Sequence, residues 1–419
     1  LASPTTRNSR AFDVVLWGAT GFTGRLLAEY FTKKYGVGGD LRWAIAGRNR
    51  EKLDQVRSSL MSLDARAGDL PLLVGDSQDA ASLAPIVAST RVVATTVGPY
   101  SLYGRELVAA CVEHGTDLCD ITGETQFVRA MIDLHHARAK ETGARIVHCC
   151  GFDSIPSDLG VLLLQTEMAA RHGTPCAQVD LVVKELRGGF SGGTIASILE
   201  FAVEAGRDRT VRRIIADPYS LDPDRGTPGP DGQDQVGVRW DRNLELWTGP
   251  FLMAAINTRI VRRSNALLGY RYGVDFRYGE SQATAGGPAG FVAATAMAAG
   301  IVAFLGLAFF PPTRAILRRL LPSPGEGPSK KKRESGKFVV KLVGSSGDGR
   351  ARLTVTVRGH SDPGYGETVK MLGESAVCLA QDDLPDGGGV LTPAASMGLR
   401  LVERLRAAGM EFEVEEVSS

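Results

Sequence analysis

Over the first 170 residues, short apolar runs alternate with longer stretches in which apolar residues recur every three or four positions. The runs at Asp13–Trp17, Arg42–Ala46, Pro71–Val74, Val92–Thr96, Asp117–Cys119 and Arg145–His148 read as strands. Arg25–Tyr35, Arg50–Leu60, Gly104–His114 and Gln126–Glu141 read as helices laid on the sheet those strands form. Strand–helix alternation of this kind predicts an α/β fold with a doubly wound parallel sheet over residues 11–170, after a disordered leader of residues 1–10.

Beyond Ala170 the pattern changes. QVDLVVKEL reads as a strand and TIASILEFAVEAG as a helix, while the prolines and glycines of ADPYSLDPDRGTPGPDGQDQ mark an exposed loop. KFVVKLV and RARLTVTVRG flank GSSGDG as an antiparallel hairpin, followed by helices around Tyr365–Ala380 and Pro393–Ala408 and a last strand, MEFEVEEV. The expectation is an α+β domain with an antiparallel sheet over residues 171–419, for substrate binding and dimerisation.

One segment of that domain stands apart. Residues 290–310, GFVAATAMAAGIVAFLGLAFF, carry Thr295 as their one hydrogen-bonding side chain and would extend roughly 31 Å as a helix, long enough to cross a bilayer core. Arg314, Arg318, Arg319 and Lys330–Arg333 follow it and outweigh Arg271 and Arg277 before it, so a single crossing would put the first domain on the far side. Three readings stay open: a segment lying on a membrane or oligomer surface, a buried core helix, and a span. The basic loop 322–336 after it is either a contact for anionic lipid or a solvated loop.

Composition narrows the classes. At 419 residues the chain has room for two or three domains, and 48 basic against 47 acidic residues leave a formal charge of +1, too weak a field to gather nucleic acid. The six cysteines show no C-x-x-C spacing, which predicts reduced, buried thiols and a cytoplasmic setting. The missing initiator Met points to a fragment or a processed chain. No H-E-x-x-H, G-x-S-x-G or Walker motif occurs, and no metal site is expected.

The chemistry begins where the first strand runs into Gly18-Ala19-Thr20-Gly21-Phe22-Thr23-Gly24 and then an amphipathic helix. Glycines there permit a tight turn and let backbone N–H groups and the helix N-terminus approach a pyrophosphate, the mark of a Rossmann domain. The second strand ends not in an acid for the ribose hydroxyls but in Ala46-Gly47-Arg48-Asn49. A guanidinium at Arg48 suits a 2′-phosphate, so NADPH is the expected cofactor. Asp76 is either an adenine contact or a helix cap. Thr96, Val97, Gly98 and Pro99 close the fourth strand, at the sheet edge where a nicotinamide ring lies in such folds. Tyr100, Tyr103, the Asp120–Glu124 stretch and Gly151–Asp158 share that edge and supply hydroxyls and acids suited to hydride-transfer chemistry. Asp153 and Ser154 serve equally as caps of the next helix.

With GATGFTG, AGRN, TTVGPY, DITGE and CGFDSIPSDLG, the chain resembles the saccharopine dehydrogenase-like oxidoreductases, and among them the trans-acting enoyl reductases of lipid polyketide biosynthesis. SGGT at Ser191–Thr194, NTRIVRRSNAL at Asn257–Leu267 and GVLTPAASMG at Gly389–Gly398 extend the resemblance over nearly the whole chain. It implies reduction of an α,β-unsaturated acyl chain held on a carrier domain of a polyketide synthase partner, with hydride from NADPH reaching the β-carbon. Tyr100 and Tyr103 are then the expected proton donor or oxyanion stabiliser, and Ser154 and Thr194 secondary donors. Arg262 and Arg263 read as a solvated face or as a guide for the carrier. Two alternatives remain: redox chemistry at a C–N bond, and a non-catalytic NADPH-binding protein of lipid surfaces. A homodimer is the default assembly.

Overall fold

The computed structural model describes residues 9–188, 192–223, 229–320 and 327–417, without the side chains of residues 192–194 and 318. They fall into two compact units. The first holds the chain to Phe152 together with residues 364–408, and the second holds most of residues 153–363 and the C-terminal strand.

The first unit is built on a seven-stranded sheet in the order β13-β6-β5-β4-β1-β2-β3, with every strand pair parallel. Its strands are β1 Phe12–Trp17, β2 Trp43–Gly47, β3 Leu72–Val74, β4 Thr90–Thr95, β5 Asp117–Asp120, β6 Arg145–Val147 and β13 Gly389–Leu391. The central strands are buried on both faces, which is why they read as unbroken apolar runs rather than alternating ones. Six of the seven strands lie where the apolar runs predict them. The seventh comes from the far end of the sequence.

That return of the chain also brings the helix Thr368–Gln381 against β1, β4, β5 and the helix Phe22–Tyr35. Glu374, buried in it, accepts hydrogen bonds from the hydroxyls of Tyr30 (2.6 Å) and Tyr35 (2.7 Å) and from Lys34 Nζ (2.8 Å). Where the amphipathic patterns place one boundary near residue 170, the contacts therefore place residues 364–408 with the nucleotide-type sheet. Residues 1–8 of the expected leader lie outside the described residues. Arg10 is held, its guanidinium donating to the carbonyls of Thr90 (2.5 Å) and His114 (2.6 Å).

The second unit carries another seven-stranded sheet, ordered β14-β12-β11-β7-β10-β9-β8. Its strands are β7 Gln178–Arg187, β8 Arg239–Asp241, β9 Leu246–Gly249, β10 Arg277–Ala283, β11 Lys337–Ser345, β12 Arg352–Gly359 and β14 Glu411–Glu416. β7 and β10 pair in parallel and the remaining pairs are antiparallel. The expected β11–β12 hairpin is present. The helix Ile155–His172 covers this sheet, with Leu342 of β11 directly under Gly160.

Arginines of the helix Ala254–Leu267 correct two sequence expectations. Arg262 and Arg263 are buried rather than solvated, as is Arg259 one turn earlier. Arg262 donates to Asp231 (2.8 Å) and to the carbonyls of Pro218 (2.9 Å) and Tyr278 (3.0 Å). Arg263 donates to the Leu221 carbonyl (2.6 Å), and Arg259 to Asp234. They tie down the Pro- and Gly-rich segment, whose Ser220, Leu221 and Asp222 are buried rather than exposed; its residues 224–228 lie outside the described residues. Of the basic loop 322–336, residues 322–326 lie outside the described residues, and Lys330–Glu334 forms a short helix capped by Ser329. All six cysteines are buried.

Candidate functional site

At the C-terminal end of the parallel sheet, β1 turns at Gly18 with φ +86° and enters the helix Phe22–Tyr35 through Gly21. A β-carbon on Gly18 would overlap the Val97 side chain, and one on Gly24 would overlap the Gly18 carbonyl. Gly21 N–H donates to the Gly18 carbonyl (3.0 Å), so the loop folds tightly onto the helix it precedes. No side chain caps this helix and its first turn holds no acid. A bare cradle of this shape fits a dinucleotide pyrophosphate, whose negative charge the helix N-terminus favours.

The other expected cofactor residues stand around that cradle. Ala19 is buried beneath it, while Thr20, Phe22 and Thr23 are half-buried. Arg48 and Asn49 follow β2 and are exposed; Asn49 Oδ1 accepts Lys52 N–H (2.8 Å) and so caps the next helix. Asp76, two residues past β3, accepts Gln78 N–H (3.0 Å), a local turn that leaves it half-buried. Thr96 N–H donates to the Trp17 carbonyl (3.1 Å), which locks the end of β4 to β1, and Val97 packs over Gly18. Gly98 and Pro99 then lead into the single helical turn Tyr100–Tyr103.

That turn is fixed by Glu124. Its carboxylate accepts the N–H groups of Tyr100 (2.8 Å) and Ser101 (2.9 Å). The Tyr100 hydroxyl faces inward, donating to the Thr95 carbonyl (3.2 Å) and accepting Ile121 N–H (3.4 Å). Tyr103, by contrast, is half-exposed. Behind these residues Asp120 and His148 form a fully buried pair, Nδ1 to Oδ2 2.6 Å, against the ring of Phe127.

In the second unit, the Ser154 hydroxyl is fully buried and donates to Asn257 Oδ1 (3.0 Å). Asn257 Nδ2 donates to Glu280 Oε2 (2.9 Å), and the Tyr278 hydroxyl to Glu280 Oε1 (2.7 Å). Burial pushes the Glu280 carboxyl up to about 7 against the opposing pull of hydrogen bonds from Ser157, Tyr278 and Asn257. Glu280 and Tyr278 border a polar cleft lined also by Asp180, Asp231, Asp234 and Arg262. Sequence reasoning missed Asn257 and Glu280 as site residues, because only the pairing of β10 with β7 and the helix above them brings the two together. Thr194 lies in the first turn of the helix Gly192–Arg207, and its side chain lies outside the described residues.

Residues 14–147 match the family described as the saccharopine dehydrogenase NADP binding domain, the stretch that holds the glycine cradle and Arg48. Over 99% of its length the chain is 44% identical to a Mycobacterium tuberculosis protein named as a candidate trans-acting enoyl reductase, all of which it covers. It is 41% identical to the trans-acting enoyl reductase of Mycobacterium bovis, over 98% of this chain and 99% of that one. The Mycobacterium ulcerans enzyme of the same name is also 41% identical, over 96% and 97%. Among solved structures, apo saccharopine dehydrogenase (L-Glu forming) from Saccharomyces cerevisiae aligns with a TM-score of 0.53 at 13% identity, over 97% of this chain and 99% of that one, a likeness of fold.

Proposed function

The chain belongs to the trans-acting enoyl reductase family, an NADP-dependent oxidoreductase by its nucleotide domain, and on that premise we propose the reaction it performs. It reduces the α,β double bond of a long acyl or polyketide chain held on a carrier domain of a separate synthase. The observation that carries this reading is identity of 41–44% across both units, because a nucleotide domain alone would suit any dehydrogenase.

The residues divide the work. Backbone N–H groups of Gly18–Gly24 would hold the pyrophosphate of NADPH, Arg48 would pair with its 2′-phosphate, and Thr96–Pro99 would stand beside its reactive end. NADPH, when bound, supplies the hydride for the β-carbon. Tyr103, the more exposed of the two tyrosines, holds the developing enolate oxygen and returns a proton to the α-carbon, so the product gains two hydrogens. Tyr100 positions Tyr103 through its bonds to Thr95 and Ile121. Ser154 orients Asn257 and Glu280, and Thr194 serves as a secondary donor. Because the carrier-bound substrate and NADPH both belong to the cytoplasm, we place the enzyme there, as a homodimer.

The test follows NADPH absorbance with a long-chain 2-enoyl thioester on a carrier domain, beside saccharopine and a control without substrate. Consumption with the enoyl thioester and a product heavier by two hydrogens supports the reading. Tight NADPH binding with no turnover, or turnover with the amino-acid substrate alone, overturns it.

A further inference from the structure

The helix Gly287–Phe309 has a mean hydropathy of 2.2 over its most apolar window, yet only 11% of that window is buried. Unlike a soluble amphipathic helix, it is apolar on every side, including those that face outward. At about 100° per residue, Gly290, Ala294 and Ala308, its buried residues, share one side. The flanking and opposite sides carry Phe291, Val292, Val302, Leu307 and Phe309, all exposed, with Phe310 just beyond. Met297, Ile301, Phe304 and Leu305 on the buried side are half-covered, so the helix packs by one side and leaves a row of large apolar side chains on the others uncovered.

The same helix is pinned to the second unit along its length. Near its start, Thr284 Oγ1 donates to the Gly290 carbonyl (2.8 Å), Phe291 packs edge-on against Trp247 at 5.0 Å, and Met297 covers Gly249. At its end, Ala308 is buried with Ile195, Leu199 and Ala202 of the helix Gly192–Arg207 and with Leu317 of the next helix. A helix fastened at both ends to one folded body cannot thread a bilayer, although its length would allow it.

Charge selects the partner. From Gly287 to Leu320 the sequence has Arg314, Arg318 and Arg319 and no acid. The helix Pro311–Leu320 exposes Ile316 and Leu320 beside Arg319, and exposed Lys331 and Lys332 follow. A second copy of the chain docking on this face about a twofold axis would set these cations against their like.

We propose that the helices Gly287–Phe309 and Pro311–Leu320 lie in the plane of a membrane leaflet, with their large apolar side chains among the acyl chains and their cations on anionic headgroups. This anchors the second unit to one leaflet without crossing it. It stands apart from the reductase reading, since it requires no catalysis.

The test is sedimentation of the full chain with vesicles of phosphatidylcholine alone or with added phosphatidylglycerol. The expected result is capture by the anionic vesicles, weakened by salt. The triple variant Val292→Asp, Val302→Asp, Leu307→Asp should bind roughly tenfold less or worse while melting like the parent, since those side chains already face outward. Arg319→Glu with Lys331→Glu and Lys332→Glu should lose the preference for anionic over neutral vesicles. The proposal is overturned if the parent stays in the supernatant with both vesicle types, or if the aspartate variant sediments as the parent does. It is equally overturned if light scattering finds a dimer that Val302→Asp splits.

Discussion

Glu124 holds Tyr100 by its backbone, not its ring: the carboxylate takes the amide of Tyr100 at 2.8 Å and that of the next residue at 2.9 Å. A single acid thereby orders the turn that carries both tyrosines of the sheet edge. Glu124→Ala leaves two amides without their charged acceptor and should cost about 1–3 kcal/mol in urea-denaturation stability. Glu124→Gln, which keeps one oxygen acceptor, should cost less. If the turn aims Tyr103, kcat falls in Glu124→Ala while Kd for NADPH hardly changes.

The glycine cradle makes a sharper prediction. A methyl group on Gly24 meets the Gly18 carbonyl, a backbone atom that cannot swing aside, so Gly24→Ala must push the helix off the loop. NADPH affinity should drop by roughly tenfold or more, equivalent to about 1.4 kcal/mol. Fluorescence titration measures it, and a Kd equal to the parent's would remove the cradle from cofactor binding.

Arg48 is exposed, so replacing it should leave folding untouched. Arg48→Ala should weaken NADPH by about tenfold, the cost of a lost charge-assisted pair, and leave NADH unchanged. Equal losses for both nucleotides would show that Arg48 does not read the 2′-phosphate.

Glu280 ties stability to pH. Its folded value, pushed up to about 7 by burial, lies above the ordinary 4.5, so the folded state binds the extra proton between those two values. The contribution is therefore fully present below pH 4.5 and is lost as pH rises through 7, a change on the order of 3 kcal/mol. Urea midpoints measured from pH 5 to pH 8 should fall through this window in the parent and run flatter in Glu280→Gln. Parallel curves would mean that Glu280 is ionised throughout.

The central strands β1, β2 and β4 were legible because strands buried on both faces must be continuously apolar, and the glycine loop because few other residues turn at φ +86°. β13 was not legible: three residues carry too little pattern, and its partner β6 lies over 240 residues earlier in sequence. The arginines at 262 and 263 were misread for a related reason. A helix bearing three cations looks solvated unless the carbonyls and carboxylates it meets are known, and those come from a loop some 40 residues away. Ser154 was legible as a polar residue at a strand end, but not its burial against Asn257.

The late return of residues 364–408 has a consequence for biosynthesis. The helix Thr368–Gln381, strand β13 and the helix Pro393–Ala407 are the last parts of the first unit to leave the ribosome, after nearly all of the second unit has been made. Until then the sheet face over β1, β4 and β5 lacks its cover, and Tyr30, Lys34 and Tyr35 lack their carboxylate. The nascent nucleotide unit must wait, partly open, while most of the second unit is translated. Chains stalled before Glu374 are thereby natural clients for chaperones.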